Sequence, residues 1–294
     1  GLPVIVGGTP EGRGVVAAAA YEARKFGIHS AMPAARARKL CPKGIFLRPR
    51  MERYAEVSGK IFEIFRSFTP LVEGLSLDEA FLDGTGGRSL FGPEEVIGRS
   101  VKKRIQEEVG LTASVGVAPN KFLAKIASDL KKPDGFVVVT QAEAPALLAP
   151  LSVGRLWGIG KVTQAALGRM EVRLVSDLLE APRDKLAGVL GSSLDHILAL
   201  CVGQDDRPVV PDAAAKSIGA EMTFARDIGV EEELERHLDA MAGEVAERLR
   251  SEGLRARTLQ LKARFPDFTT VTRALSLDEA TSSTLEVRRA ARIL

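Results

Sequence analysis

Two consecutive acids, Asp78 and Glu79, interrupt an apolar β-like stretch, with Leu75-Ser76-Leu77 before them and Ala80-Phe81-Leu82 after. Carboxylates among apolar neighbours are desolvated at a cost unless something positive compensates. A divalent cation does so, and Mg²⁺ favours one or two carboxylates together with substrate phosphates. Neighbours on a regular strand point to opposite faces, so both acids reach one ion only where the chain bends. A tight turn between Ser76 and Glu79 is therefore expected. The competing reading is an Asp-Glu pair in an ordinary exposed hairpin.

Other residues suit phosphates. Tyr21 and Arg24 stand three apart in Tyr-Glu-Ala-Arg-Lys-Phe-Gly and share a face if this is a helical turn. Arg24 could grip a phosphate bidentately. Lys131-Lys132-Pro133-Asp134-Gly135 puts two cations at the end of a helix that passes Lys121 and Lys125. Gly158-Ile159-Gly160-Lys161 lies between two short helical segments, where glycines let the backbone approach a phosphate. Residues 1–50 hold nine Lys or Arg against Glu11 and Glu22, an excess that suits a nucleotide or a nucleic-acid backbone.

The positioning elements follow from pattern. With 294 residues, 45% of them hydrophobic and 27% charged, the chain has the balance of a soluble protein of several compact units. No apolar run is long enough for a bilayer and no leader opens the chain, so neither a membrane nor a secreted location is expected. Cys41, Cys201 and the scattered His29, His196 and His237 offer neither a disulfide framework nor a zinc site, which suits the cytoplasm. Residues 1–50 read as a loop-rich α+β unit. Helices at 53–68, 94–109 and 120–130 interleave with β segments at 71–83, 111–117 and 136–139, which suggests an α+β, ferredoxin-like sheet domain. Short helices fill 145–206, and 207–215 reads as a linker. The last segment is expected to open with a strand at 216 and continue with a helix whose stripe is Leu234, Leu238, Met241, Val245 and Leu249. In the following strand Leu259, Leu261, Ala263 and Phe265 face one way, and Thr258, Gln260, Lys262 and Arg264 the other. If the helix covers the first face, the second is a basic cradle for a duplex. The hexapeptide Leu-Ser-Leu-Asp-Glu-Ala recurs at 275–280, where Asp278 and Glu279 would suit the positive end of a following helix.

Six stretches, at 21–32, 76–83, 112–127, 131–135, 158–162 and 216–224, together resemble the Y-family DNA polymerases, the DinB (polymerase IV) type most of all. The resemblance implies a right-hand polymerase of α+β class. Its parts would be small fingers (1–50), a ferredoxin-like palm (51–140), a helical helix-hairpin-helix thumb (141–206), a linker (207–215) and an α/β little finger (216–294). It implies template-directed transfer of nucleotides from dNTP to a primer 3′-OH, past damaged bases, with two Mg²⁺ ions. By this resemblance Asp78 bridges the ions and Glu79 binds the one that activates the 3′-OH. Tyr21, Arg24 and Lys132 hold the triphosphate, and Ser76 contacts the primer. Gly158, Ile159, Gly160 and Lys161 of the thumb grip DNA phosphates without reading sequence. Lys216, Ser217, Arg257, Lys262, Arg264 and Arg273 of the little finger do the same. The implied partners are primer–template DNA, dNTP and a sliding clamp bound through a C-terminal tail, with the polymerase itself a monomer.

Two departures bear on activity. The family's first palm strand, an Asp-x-Asp-x-Phe-Phe-like segment with a further metal-binding Asp and the sugar-selecting aromatic, is expected ahead of Gly1. The chain as it stands is therefore expected to be inactive or nearly so. Ala18 falls where the family often has a phosphate-bonding Ser or Thr. The main alternative is a non-catalytic DNA-binding scaffold of a mutagenesis complex, against which Asp78, Glu79, Arg24 and Lys132 argue. A helix-hairpin-helix nuclease would need an acidic cluster near the hairpin, where only Glu171, Asp177 and Glu180 are scattered. A palm-type nucleotide cyclase would have no use for the thumb hairpin.

Overall fold

The computed structural model describes residues 1–212 and 214–294. Ala213, inside the expected linker, lies outside the described residues. The chain forms two compact units, one of residues 1–50 with 214–294 and the other of residues 51–213.

In the first unit, short apolar runs broken by Gly and Pro give β1 (Val4–Gly7), β2 (Val16–Ala19), α1 (Tyr21–Arg24), α2 (Ala34–Leu40) and β3 (Ile45–Leu47). β1 is central, antiparallel to β2 and parallel to β3. Ile5, Val16, Ile28 and Met32 form its core with Cys41.

The second unit opens with α3 (Met51–Arg66), which stops ahead of Pro70. The hairpin β4 (Val72–Gly74) and β5 (Ala80–Leu82) follows, then α4 (Arg88–Phe91) and α5 (Glu94–Arg104). The periodic segment expected to run to 109 leaves the α-helix at Ile105 for a π-helical turn that ends at Gly110. β6 (Val115–Val117), α6 (Lys121–Leu130) and β7 (Phe136–Val138) make a parallel β-α-β unit. Asn120 caps α6 by accepting from the Leu123 N–H at 2.9 Å. The sheet is discontinuous, with β4–β5 and β6–β7 as two separate pairs among the described residues. Ile64 and Phe68 pack on Ile97, Val101 and Ile105 beside it.

Among the described residues five α-helices follow: α7 (Ala144–Leu148), α8 (Lys161–Gly168), α9 (Val175–Glu180), α10 (Arg183–Leu190) and α11 (Leu194–Cys201). Their core of Leu148, Leu167, Leu178, Ile197 and Leu200 takes in Phe122, Leu123 and Ile126 of α6. The segments expected as palm and thumb thus share one apolar core. Cys41 and Cys201 are both free and buried. Burial pushes the Cys201 thiol up to about 11, as a packing role requires.

The first unit resumes at Ala214. Residues 216–224, expected to open with a strand, have no regular secondary structure. Their polar contacts go to side chains, with Gly219 O accepting from Arg248 at 2.7 Å and Glu221 from Lys262 at 3.0 Å. α12 (Glu231–Ser251), β8 (Ala256–Arg264), β9 (Thr270–Thr281) and α13 (Thr284–Ile293) follow. The buried stripe of α12 holds Ala242 and Ala246 together with the expected Leu249, the expected Leu238 is half-buried against it, and Leu234 is exposed. Small residues there let Val287 and Ala291 of α13 approach, with Leu259 of β8 against the same cluster. The second Leu-Ser-Leu-Asp-Glu-Ala copy lies wholly within β9, so Asp278 and Glu279 do not flank a helix start. Glu286 is the acid in the first turn of α13.

Candidate active site

β4 and β5 are three-residue strands, and Gly74 pairs with Ala80 at the end of their ladder. The chain reverses over residues 75–79. The Leu75 and Ser76 N–H groups both donate to Glu79 O, at 2.8 and 3.3 Å. This is the tight turn that two neighbouring carboxylates need if they are to serve one site. Ser76 Oγ donates to Asp78 Oδ1 at 2.6 Å, and Lys125 Nζ of α6 donates to Glu79 Oε1 at 2.5 Å. The desolvation expected for the two acids is not seen. Asp78 is exposed and Glu79 half-buried, because the turn projects beyond the apolar part of the hairpin. Two solvent-accessible carboxylates match the ligand habit of Mg²⁺, which takes few protein oxygens and completes its shell with water and phosphate. Among the described residues no group of three or more His, Cys, Asp or Glu could hold a metal, so Asp78 and Glu79 fit such an ion only as part of its shell.

Tyr21 and Arg24 share a face of α1 as expected, with the guanidinium carbon 4.7 Å from the ring centroid. Arg24 Nε also donates to Ala19 O at 2.9 Å, which orients the guanidinium. Lys132 follows α6 and pairs with Asp129 at 2.7 Å.

Gly158 has φ +100°, a left-handed conformation that favours glycine, and Gly160 is the N-cap of α8. A 3₁₀ turn, Val153–Arg155, rather than an α-helix precedes them. Gly158, Gly160 and Lys161 are exposed, whereas Ile159 is buried in the core and can offer a ligand only its backbone.

The β8–β9 register sorts the basic residues differently from expectation. Lys262 pairs with Thr272, and Arg264 with Thr270, on the outer face with Thr258 and Gln260. Arg273 lies opposite Leu261 and therefore on the face of Leu259, which packs on the helices. Arg257 sits at an irregularity where Ala256 pairs with Thr281 but Thr258 with Ser276, and its Nε donates to Leu277 O at 3.1 Å. Lys216 and Ser217 are exposed.

Residues 1–129 match the impB/mucB/samB family model, and residues 215–294 match that of the family's C-terminal domain. The chain is 49% identical over 276 residues to DNA polymerase IV of Alkalilimnicola ehrlichii, covering 94% of this chain and 78% of that one. It is 44% identical over 294 residues to DNA polymerase IV of Listeria monocytogenes, covering 100% and 83%. Among solved structures it is similar to a Y-family DNA polymerase chimera of Dbh and Dpo4, with TM-score 0.88, 26% identity and coverage of 100% and 86%. It is also similar to Dbh DNA polymerase in an insertion ternary complex, with TM-score 0.71, 25% identity and the same coverage.

The chain belongs to the impB/mucB/samB family, as a DinB-type Y-family polymerase.

Around the acidic turn of this Y-family chain lie residues that sequence reasoning did not assign to the site. Lys121 Nζ donates to both oxygens of Glu73 on β4, at 3.0 and 2.8 Å, and the Val210 N–H donates to the same carboxylate at 2.8 Å. Asp205 accepts from the Phe122 N–H at 3.2 Å and from Arg207 at 2.6 and 2.8 Å. The Arg207 guanidinium lies 4.4 Å from the ring centroid of Trp157, which is 6.0 Å from Phe81 of β5. The available signal was a pair of lysines, 121 and 125, one turn apart on a helix otherwise apolar at Phe122, Leu123 and Ile126.

Burial works to raise the Glu73 carboxyl, but Lys121 and the Val210 N–H outweigh it and hold it below the usual carboxylate range. Asp205 is opposed by burial in the same way and held low by Arg207. A carboxyl lowered in the folded state stabilises fully above its unfolded value, about 4, and loses that contribution as pH falls through the lower folded value. The thermal midpoint should therefore drop as pH falls below about 4. Asp205→Asn should flatten that part of the curve while lowering the midpoint at pH 7. Calorimetry across this range, with equal acid slopes in both proteins as the adverse result, checks it.

Proposed function

We propose that this polymerase adds nucleotides from dNTP to a primer 3′-OH past damaged template bases, with Asp78 and Glu79 as its divalent-metal carboxylates. The Ser76–Glu79 turn carries this reading, because it gathers two consecutive carboxylates at an exposed hairpin tip in a chain matched to the family along most of its length. Two Mg²⁺ ions, when bound, would neutralise charge on the transferred phosphate and make the 3′-OH more acidic. Ser76 orients Asp78 through its 2.6 Å hydrogen bond, and Lys125 orients Glu79 by donating to its Oε1. Arg24, steadied on Tyr21 and Ala19 O, and Lys132 bind the triphosphate. The sliding clamp, a monomeric state and a cytoplasmic location belong to the same reading. Among the described residues no helix is long and apolar enough to cross a membrane.

DNA is gripped through the backbone N–H groups of residues 158–161 and through Lys262 and Arg264, with Lys216 and Ser217 in the same role. Arg257 and Arg273 take part only at the rim, given their register. Substituting Lys262 and Arg264 together by Ala should weaken binding about equally across template sequences and reduce the salt slope by about two phosphate equivalents. Fluorescence-anisotropy titration at several salt concentrations measures this, and an unchanged slope would move the duplex off this face.

Primer extension by the full-length gene product, on undamaged and lesion-bearing templates with Mg²⁺, tests the function itself. Template-dependent extension that Asp78→Ala abolishes is expected. Tight DNA binding without extension would favour the non-catalytic scaffold.

A further inference from the structure

The acidic turn has little of its own to hold it. Its hairpin has three-residue strands, and a hairpin so short is not stable by itself. Placement of Asp78 and Glu79 must come from what the hairpin is tied to. Two ties run to α6, where Lys121 and Lys125 are one turn apart on the same face. Lys125 reaches Glu79 at the tip, in a partly exposed pair that solvent weakens.

Lys121 reaches Glu73 at the base, where the setting differs. The two side chains keep only 9% and 19% of their surface, and among the described ion pairs no other has both partners so covered. Such a pair is a poor source of stability, since desolvation offsets most of its attraction. It does fix geometry: Lys121 Nζ contacts both Glu73 oxygens, and the Val210 N–H adds a third hydrogen bond from the linker. Glu73 is directly opposite Phe81 in the β4–β5 register, and Lys121 Nζ stands 5.6 Å from the Phe81 ring centroid. Phe81 is in turn beside Trp157, which Arg207 covers from the linker. The base of the hairpin is thus clamped between α6 and residues 205–210, while its tip stays open to substrate.

We infer that Glu73 and Lys121 are a positioning pair for the polymerase reaction, fixing the β4–β5 hairpin on α6 so that Asp78 and Glu79 are presented in working geometry. The inference rests on the reading of Asp78 and Glu79 as the metal carboxylates. Both side chains are largely covered by the protein itself, so neither is offered to substrate. Loss of the clamp should therefore slow the chemical step and leave nucleotide and DNA binding in place.

Single-turnover primer extension by the full-length gene product, with wild type, Asp78→Ala, Glu73→Gln and Glu73→Asp, decides the matter. Glu73→Gln should lower the rate at saturating dNTP by about 10- to 100-fold, with the apparent dNTP and primer–template affinities within about threefold of wild type. The emission of Trp157, the one tryptophan, should shift in the same variant, because its neighbours Phe81 and Arg207 are held by the clamp. Glu73→Asp keeps the charge and shortens the reach, so it serves if Glu73→Gln does not fold, and a reduced rate with intact affinities is again expected. A folded variant at the wild-type rate overturns the inference, as does an equal loss of rate, nucleotide affinity and DNA affinity. Synthesis that survives Asp78→Ala would instead overturn the reading of the acidic turn, whatever Glu73 does.

Discussion

Asp78→Asn is expected to lower the rate of primer extension by about 10³-fold, equivalent to roughly 4 kcal/mol of transition-state stabilisation. The amide keeps the size of the side chain and can still receive the Ser76 hydroxyl, so the turn persists. What disappears is the negative charge that would hold a dication against the triphosphate. Glu79→Gln should cost less than Asp78→Asn, because by the family resemblance Asp78 would help hold both ions and Glu79 only one. DNA affinity measured without dNTP should be nearly unchanged in both, since grip on the duplex is assigned to other residues. Rapid-quench extension with each variant checks the order. A Glu79 defect larger than the Asp78 defect would reverse the two roles.

Gly116→Ala is expected to destabilise residues 51–213 by about 3 kcal/mol, near the upper end for overpacking, and to lower the thermal midpoint by roughly 6–12 °C. A Cβ at Gly116 would stand 2.2 Å from Ala124 O and 2.5 Å from the Ser128 nitrogen. Both are backbone atoms of α6, which cannot swing aside as a side chain can. The substitution therefore pushes α6 off β6, and α6 carries Lys121 and Lys125 as well as the apolar residues it shares with the core of α7–α11. Activity should fall with stability. Gly188→Ala is the control. That glycine is inside α10 with open space where a Cβ would go, so alanine should be neutral or stabilising by about 0.5–1 kcal/mol. Thermal denaturation of both proteins gives the comparison, and equal midpoints would mean that α6 and β6 are less tightly packed than their backbone separation indicates.

Much of the site was legible in the sequence because it is local. Adjacent carboxylates demand a bend, and the Ser76–Glu79 turn supplies it. Tyr21 and Arg24 share a face because three residues make almost one helical turn.

The parts that were not legible depend on long-range pairing. Glu73 and Lys121 are far apart in the chain, and each alone reads as a solvated charge; only the fold shows that they bury one another. Arg273 looked equivalent to Lys262 and Arg264 by composition, yet its face is set by the pairing of Arg264 with Thr270 across the hairpin loop. The irregularity at Ala256 has a similar origin. Continued regular pairing would bring Asp278 opposite Ala256, but Thr281 is there instead, so Leu277–Ala280 bulge from the ladder. The strand expected at 216 failed because alternating residues make a strand only when a partner edge accepts them, and here the Gly219 carbonyl accepts from the Arg248 side chain instead.

The most direct measurement is anomalous diffraction from crystals of the full-length gene product with primer–template, a non-reactive dNTP analogue and Mn²⁺ in place of Mg²⁺. A manganese peak within about 2.0–2.3 Å of Asp78 and Glu79 carboxylate oxygens, shared with the triphosphate, is the predicted result. Manganese bound to the triphosphate with both carboxylates turned away, and Glu79 still paired to Lys125, would contradict it.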